Sequence, residues 1–170
     1  MLANADREMP DTLKFEGDKQ FFTAALDRAD LIVHGRHSHE GQPNSPKRRR
    51  IVLTHGTAAL ARDPANPNAT LWNPQAASFE QACAFAGVPS GTVAIIGGPD
   101  VFDMFMDRYD AFFLSQAPHV RLPDGEACFP GVPARSPQQI LAAHGLMADK
   151  REVLDRAADV TVTPWRRPTR

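Results

Sequence analysis

Four short apolar runs constrain the fold more than any other feature of this sequence. They begin at Leu31, Ile51, Val93 and Ala111, and each extends for only three or four residues. Runs of this length, without alternating polar residues, are typical of strands buried on both faces of a sheet. Segments with apolar residues at helical spacing lie near 17–29, 79–86 and 99–105. This alternation predicts an α/β fold with an open, largely parallel sheet that carries helices on both faces.

The C-terminal part of the sequence follows a different pattern. Ser136-Pro137 is typical of a helix start, and we predict a short helix from there through Ala143. Two further segments predict a closing pair of strands. The predicted strands lie near residues 31–35, 50–54, 93–97, 111–116, 150–155 and 160–165. We therefore expect residues 1–170 to form a single domain with a mostly parallel central sheet and a C-terminal antiparallel hairpin.

The region between the second run and the second helix is rich in proline. Pro64, Pro67 and Pro74 lie there, and proline lacks the N–H group that a strand ladder requires. We therefore predict a loop in this region, with one short strand at Leu71-Trp72. Ser78 is predicted to cap the helix that follows.

The composition excludes several classes of protein. Hydrophobic residues make up 42% of the chain and charged residues 23%, as in globular domains. Nineteen basic and twenty acidic residues leave a net charge of -1, which gives no reason to expect nucleic acid or an anionic membrane as a partner. No apolar run has membrane-spanning length, and the N-terminus lacks the pattern of a signal peptide, so a cytoplasmic protein is expected. Cys83 and Cys128 form no metal or redox spacing, and Cys83 is predicted to be buried.

One basic cluster interrupts this balance of charges. It is the run from Lys47 to Arg50, which directly precedes the second apolar run. A run of like charges is usually a solvated face, so we interpret it as an exposed loop that leads into a strand. Contact with an anion is the alternative.

Two predicted strands end in glycine-containing segments. The first ends in Gly35-Arg36-His37-Ser38 and the other in Gly97-Gly98-Pro99. In parallel sheets, ligands bind beyond the carboxyl ends of the strands, so we expect Gly35 and Gly97 at the same edge. Glycines allow a ligand to approach the backbone, a helix N-terminus attracts phosphate, and arginine can bind phosphate through two hydrogen bonds. Each segment taken alone is better explained as an ordinary turn, because turns at strand ends use glycine in any case.

The order of these pieces resembles one known family. An acidic residue shortly before a Phe is followed by Gly-Arg-x-Ser, Ile-Ile-Gly-Gly, a strand ending Phe-Leu-Ser, and Gly-Glu-x-x-Phe-Pro. This pattern, over roughly residues 18–165, resembles the dihydrofolate reductase family, which includes the reductase domain of riboflavin biosynthesis. Its most specific motifs lie at 35–38, 96–98 and 125–130. The resemblance implies a three-layer α/β fold, NADPH as cofactor, and reduction of a small heterocyclic or carbonyl substrate.

The resemblance also implies a cofactor site at the two glycine-containing strand ends. The residues after the first strand would contact the cofactor phosphates, and those after the second strand would flank its adenosine end. The glycine pair would present its backbone to the pyrophosphate, and the peptide bond within that pair would be cis. The implied cofactor-binding residues are Gly35, Arg36, His37, Ser38, Thr54, His55, Gly97 and Gly98.

On the substrate side, the resemblance implies roles for Asp18 and Ser115. Asp18 matches a pocket carboxylate that binds a nitrogen heterocycle, and Ser115 matches a nearby hydroxyl partner. Such a carboxylate pairs with a heterocycle N–H and assists proton delivery, while the nicotinamide supplies hydride. We therefore expect Asp18 to open into a cavity and to approach Ser115. An acidic residue in the first turn of a helix also interacts favourably with the helix dipole, and this role remains an equal alternative.

Two other chemistries are not favoured. His34, His37 and His39 are close in sequence, but on a strand the first would point away from the second, and no carboxylate or cysteine set completes a metal site. No metal is therefore expected. Ser38 and Ser115 lack the glycine pattern of a nucleophile elbow, which argues against a serine hydrolase. Six phenylalanines are interpreted as core residues and not as a ligand platform: Phe21, Phe22, Phe102, Phe105, Phe112 and Phe113.

The sequence departs from the family in two ways. The family begins with an apolar strand at the centre of the sheet, whereas Met1–Asp6 matches the loop that follows such a strand. We expect a gap or widened groove beside the strand that carries 112–115, unless the N-terminal loop or a second subunit fills it. The loop also lacks the Leu-Pro-Trp pattern of folate reductases, so the substrate is not assigned as folate. A nucleotide-binding module without turnover is the alternative function, and a homodimer, common in such relatives, is one expected assembly.

Overall fold

The computed structural model describes residues 3, 9–38 and 40–168. The chain divides into two compact units. We call Thr23–Val101 the central unit, and Met1–Phe22 together with Phe102–Arg170 the terminal unit. Among the described residues, no helix is long and apolar enough to cross a membrane.

The helices follow the sequence prediction closely. Ser78 and Ser136 each cap a helix through a complete capping box, in which the serine side chain accepts from the third helical N–H and a glutamine side chain accepts in return. Such boxes satisfy N–H groups that a helix N-terminus otherwise leaves unpaired. The four α-helices in the described part of the chain are α1 (Glu16–Asp27), α2 (Phe79–Phe85), α3 (Pro99–Met104) and α4 (Pro137–Ala143).

The central unit contains a five-stranded sheet of order β3-β4-β2-β1-β5. Strands β4, β2, β1 and β5 are parallel to their neighbours, and β3 runs antiparallel to β4. Leu31, Val33 and Ile51 are fully buried, as expected for strands covered on both faces. The strand bounds are β1 (Leu31–Gly35), β2 (Arg50–Leu53), β3 (Leu60–Asp63), β4 (Asn66–Trp72) and β5 (Val93–Ile95).

The loop prediction for the proline-rich region is wrong. The β3–β4 hairpin occupies 60–72, and only its last two residues were expected in a strand. Pro64 lies in the hairpin turn. Pro67 is the second residue of β4, at the end where the register with β3 shifts between Arg62 and Asp63. A proline is tolerated there because the regular ladder is interrupted at this register shift.

The terminal unit contains an antiparallel sheet built around its last strand. Strand β9 (Val160–Arg166) pairs with β6 (Ala111–Gln116) on one edge, and with β7 (Met147–Ala148) and β8 (Glu152–Asp155) on the other. The predicted C-terminal hairpin is therefore confirmed, whereas β7 was not expected. The rings of Phe102, Phe112 and Phe129 make edge-to-face and tilted contacts, with centroids 5.3–6.4 Å apart, and form part of the core of this unit. Phe113, which was expected in the core, is instead 45% exposed.

The strands form two sheets instead of one continuous sheet. Strand β6 pairs with β9 alone, and none of the described residues pairs with its other edge. Strand β5 likewise pairs only with β1 within the described chain. The gap expected beside 112–115 stays a prediction. Of the N-terminal stretch 1–6, only Ala3 is described, and it bridges Glu126; the loop expected there otherwise lies outside the described residues.

The interpretation of the basic run as a solvated loop is wrong for two of its members. Arg48 and Arg50 are 8% and 5% exposed, whereas Lys47 and Arg49 are exposed as expected. The two buried guanidinium groups form ion pairs with the buried carboxylate of Glu40. A buried charge requires a partner of opposite sign, and the sequence pattern of the run does not reveal that partner.

Candidate cofactor and substrate sites

The two glycine-containing strand ends meet at one edge of the central sheet. Strands β1 and β5 are parallel neighbours, so their carboxyl ends share an edge. The amide of Gly35 donates a hydrogen bond to the carbonyl of Gly97 at 2.8 Å. The Gly97-Gly98 peptide is cis, as expected. The sequence prediction that Gly35 and Gly97 lie together is therefore confirmed.

The turn after β1 lies against the glycine pair. The amide of Ser38 donates to the carbonyl of Gly35 at 3.0 Å, which closes the turn. A Cβ atom placed on Gly98 would lie 3.2 Å from the Ser38 Oγ, so the absence of a side chain at 98 keeps this space open. Arg36 and His37 are exposed, and Arg36 forms no ion pair within the described chain.

Thr54 and His55 follow β2 at the same edge. Strand β2 is parallel to β1, with Leu53 opposite Gly35. The amide of Thr54 donates to the carbonyl of Trp72 at 2.9 Å, and its Oγ1 accepts from the amide of Gly56. His55 is exposed. The structure thus brings all the sequence-predicted cofactor residues to the carboxyl ends of β2, β1 and β5.

This edge presents the kinds of group that bind phosphate. It offers glycine backbone that a ligand can approach closely, a serine hydroxyl facing that backbone, and an exposed guanidinium group nearby. Glycine is required at 97 for a further reason, because its φ is 103°, a conformation that side-chain-bearing residues rarely adopt.

Asp18 and Ser115 form the expected pair in the terminal unit. The Ser115 Oγ donates a hydrogen bond to the Asp18 Oδ1 at 2.7 Å. Both residues line a cavity of about 510 Å³. The Asp18 Oδ2 accepts no hydrogen bond from the described residues, so one oxygen remains for a ligand. The expectation that Asp18 opens into a cavity beside Ser115 is confirmed.

A close approach of two backbones places Asp18 at this cavity. A Cβ atom on Gly17 would lie 2.0 Å from the carbonyl oxygen of Leu154 in β8. Only glycine therefore allows the first turn of α1 to pack against this strand. The sequence analysis did not single out Gly17, because a glycine within a helical pattern usually indicates only lower helix propensity.

Two further residues of the cavity were not predicted. Arg121 lies in the loop after β6, and its Nη1 donates to the carbonyl of Pro118 at 3.2 Å. It forms no ion pair with any described residue, so the cavity contains one carboxylate and one guanidinium group. Cys128 is buried, and burial raises the pKa of its thiol. Arg121 belongs to no pattern that sequence alone could interpret, and Cys128 occupies an unspecified position of the 125–130 motif.

The metal and hydrolase alternatives concern His34, His39 and Ser115. No group of three metal-ligating side chains is present among the described residues. His34 is buried, with its Nδ1 2.9 Å from the carbonyl of Gly35, and His39 lies outside the described residues. The Ser115 hydroxyl bonds a carboxylate and not a histidine.

Two solved structures have a similar fold. A dihydrofolate reductase from Enterococcus faecalis, complexed with NADP(H) and RAB-propyl, is 19% identical; the match covers 92% of this chain and 84% of that one, with a TM-score of 0.60. A diaminohydroxyphosphoribosylaminopyrimidine deaminase/5-amino-6-(5-phosphoribosylamino)uracil reductase from Thermotoga maritima is 13% identical, with a TM-score of 0.59. That match covers 98% of this chain and 53% of the other, so the chain spans about half of its length. No curated protein sequence matches the chain.

The sequence itself carries the family assignment. The pattern of the family described as dihydrofolate reductase matches residues 5–157, which include both strand-end motifs and the Asp18–Ser115 pair. The fold of the two similar structures agrees with this match. The chain therefore belongs to the dihydrofolate reductase family.

Proposed function

We propose that the chain is an NADPH-dependent reductase of a small heterocyclic or carbonyl substrate. The observation that carries this proposal is the joining of Gly35 and Gly97 at one sheet edge, with Ser38 facing Gly98. Family membership supports it, because dihydrofolate reductases reduce a heterocycle with NADPH, and one similar structure holds NADP(H).

The cofactor side of the proposal assigns three kinds of contact. Arg36, His37 and Ser38 bind phosphate through charge and hydrogen bonds, and Gly35, Gly97 and Gly98 leave the backbone accessible to the pyrophosphate. The bound cofactor supplies hydride. The adenosine end is assigned to the residues just past β2, Thr54 and His55.

The substrate side of the proposal rests on the carboxylate of Asp18. Its free oxygen accepts a hydrogen bond from a substrate N–H, while Ser115 fixes the other oxygen. A carboxylate held in this way orients a nitrogen heterocycle and supplies a proton relay next to the reacting atom. This chemistry favours a heterocycle over a simple carbonyl compound, because only the heterocycle presents the N–H donor.

The proposal is tested by NADPH oxidation with a panel of nitrogen heterocycles. The panel contains dihydropteridines, aminouracils and simple ketones, and the loss of reduced-nicotinamide absorbance measures turnover. Oxidation that depends on one heterocyclic class, and that Asp18→Asn slows, supports the proposal. The absence of both NADPH binding and oxidation would contradict it.

One observation favours the second candidate, a nucleotide-binding module without turnover. All the residues assigned to the cofactor lie in the central unit, whereas the Asp18–Ser115 pair lies in the terminal unit, so nucleotide binding requires no residue of the substrate pair in this scheme. Saturable NADPH binding without oxidation of any panel member would establish this alternative. We further propose a cytoplasmic protein with a small-molecule substrate and no nucleic-acid partner. Light scattering at two protein concentrations would test the expected homodimer.

A further inference from the structure

The loop that follows β1 is anchored by a buried cluster of charges. Residues 36–49 connect β1 to β2, and Arg36, His37 and Ser38 stand at the start of this loop. Glu40 lies two residues further on, and its side chain is only 2% exposed. A carboxylate buried to this extent requires charged or hydrogen-bonding partners at both oxygens.

Both oxygens of Glu40 have such partners. The Oε1 accepts from the Arg50 Nη2 at 3.0 Å. The Oε2 accepts from the amide of Gln42 at 2.9 Å and lies 3.0 Å from the Arg48 Nη1. The side chains of the two arginines are 7% and 6% exposed, so these ion pairs are screened from water. Arg48 also pairs with Asp27, at the rim of the cluster.

Ser45 completes the closure of the loop. Its Oγ donates to the carbonyl of Glu40 at 2.9 Å, and the Arg50 Nη2 donates to both the carbonyl and the Oγ of Ser45. The Arg50 guanidinium group at the start of β2 therefore binds both Glu40 and Ser45 of the preceding loop. These contacts fix the loop against the strand, because each is buried or half-buried.

His34 connects this cluster to the turn at Gly35. Its Nδ1 lies 2.9 Å from the carbonyl of Gly35, which can only accept, so Nδ1 carries the hydrogen. The Nε2 then accepts from the Arg50 Nη1 at 3.4 Å. The same Gly35 carbonyl accepts from the amide of Ser38. A continuous series of contacts thus leads from Glu40 to the turn at the glycine edge, the sheet edge where Gly35, Gly97 and Gly98 lie.

We propose that Glu40 is a positioning residue for cofactor binding, acting through Arg50, His34 and Ser45 on the turn that carries Arg36 and Ser38. This inference rests on the proposed function. Glu40 fixes the turn before the cofactor arrives, so that less ordering is needed on binding. It touches no phosphate in this scheme, and its effect on the cofactor is indirect.

The test uses two variants and a control within the central unit. Glu40→Gln removes the charge with little change of shape, and Ser45→Ala removes the weaker loop contact. Glu80→Gln, an exposed acid on α2, is the control. Calorimetry gives the NADPH dissociation constant at a temperature where circular dichroism shows each variant folded, and the unfolding midpoint is measured separately.

We expect Glu40→Gln to raise the NADPH dissociation constant about tenfold and Ser45→Ala by about threefold, while Glu80→Gln stays at the wild-type value. A lower unfolding midpoint with an unchanged dissociation constant would show that Glu40 supports the fold alone and would overturn the inference. If Glu40→Gln does not fold, an unchanged constant in Ser45→Ala overturns it. Failure of the wild-type chain to bind NADPH would instead refute the proposed function, and the inference with it.

Discussion

The glycine edge of the central unit and the Asp18 cavity of the terminal unit differ in the groups that form them. The glycine edge is backbone brought together by parallel strands, and its key positions, Gly97 and Gly98, carry no side chain. The cavity depends on one carboxylate–hydroxyl pair, Asp18 and Ser115, within a largely apolar lining. The comparison indicates that the strand topology determines the geometry of the glycine edge, whereas individual side chains determine the geometry of the cavity.

The largest expected effect concerns the packing that places Asp18. Gly17→Ala puts a Cβ atom 2.0 Å from the carbonyl oxygen of Leu154. We expect it to lower the free energy of unfolding by about 3 kcal/mol, although alanine is the better helix former by about 1 kcal/mol. Urea unfolding measures the change. Gly41→Ala, where a Cβ would meet nothing within 4 Å, is the control and should unfold like the wild type. Equal stability of the two variants would mean that α1 can move away from β8 at no cost.

The second largest effect distinguishes two roles of Asp18, proton transfer to the substrate and stabilisation of the first turn of α1. Asp18→Asn should lower kcat/KM about 100-fold, because an amide cannot take part in proton transfer as a carboxylate does. Its NADPH dissociation constant should remain within about twofold of the wild-type value, a change of under about 0.5 kcal/mol. Steady-state kinetics and calorimetry provide the two measurements. Glu16→Gln, an exposed acid in the same helical turn, is the control. An equal loss in both variants would assign Asp18 to the helix dipole.

The fold and the glycine edge could be predicted from sequence to a large extent. Buried parallel strands have short apolar runs, and their carboxyl ends meet at one edge, so the joining of Gly35 and Gly97 followed from position alone. The Asp18–Ser115 pair required a family resemblance, because the two residues are far apart in sequence. Arg121 could not be predicted, because the loop that carries it has no periodic pattern, and Cys128 fills a position that the 125–130 motif leaves unspecified.

The buried ion pairs show a second limit of sequence analysis. Four basic residues in a row predict a solvated surface, yet Arg48 and Arg50 are buried against Glu40. Alternation along the strand entry turns every second side chain inward, and the compensating charge comes from a loop residue eight to ten positions away. The sequence shows the charges but not which of them face each other.

A smaller effect is expected from filling the space at the glycine edge. Gly98→Ala places a methyl group 3.2 Å from the Ser38 Oγ. We expect the NADPH dissociation constant to rise about tenfold, or about 1.4 kcal/mol, while heterocycle binding at the Asp18 cavity is unchanged. The double variant with Ser38→Ala should lose less affinity than the sum of the two single losses, because the hydroxyl that the methyl group meets is gone. Additive losses of binding free energy in this double-mutant cycle would show that residues 38 and 98 do not interact.

The smallest effect is a pH dependence of stability. Burial favours the neutral form of Glu40, but the Gln42 amide, the nearby Ser45 hydroxyl and the guanidinium groups of Arg50 and Arg48 outweigh it and hold the pKa of this carboxyl below its ordinary value of 4.5. The folded chain therefore binds fewer protons than the unfolded chain, and this contribution to stability is present above pH 4.5 and lost as the pH falls further. Urea midpoints measured from neutral to acid pH should fall less steeply for Glu40→Gln than for the wild type. Parallel profiles for the two proteins would show that Glu40 does not cause the pH dependence of stability.

Binding of NADPH at the glycine edge is the central claim, and calorimetric titration of Arg36→Gln tests it most directly. Arg36 is exposed beside the turn, and Arg28, exposed in the same unit, provides a matched control. The account predicts saturable NADPH binding by the wild type, a dissociation constant raised about tenfold in Arg36→Gln, and a wild-type value in Arg28→Gln. No saturable binding by the wild type, or an equal change in both variants, would contradict it.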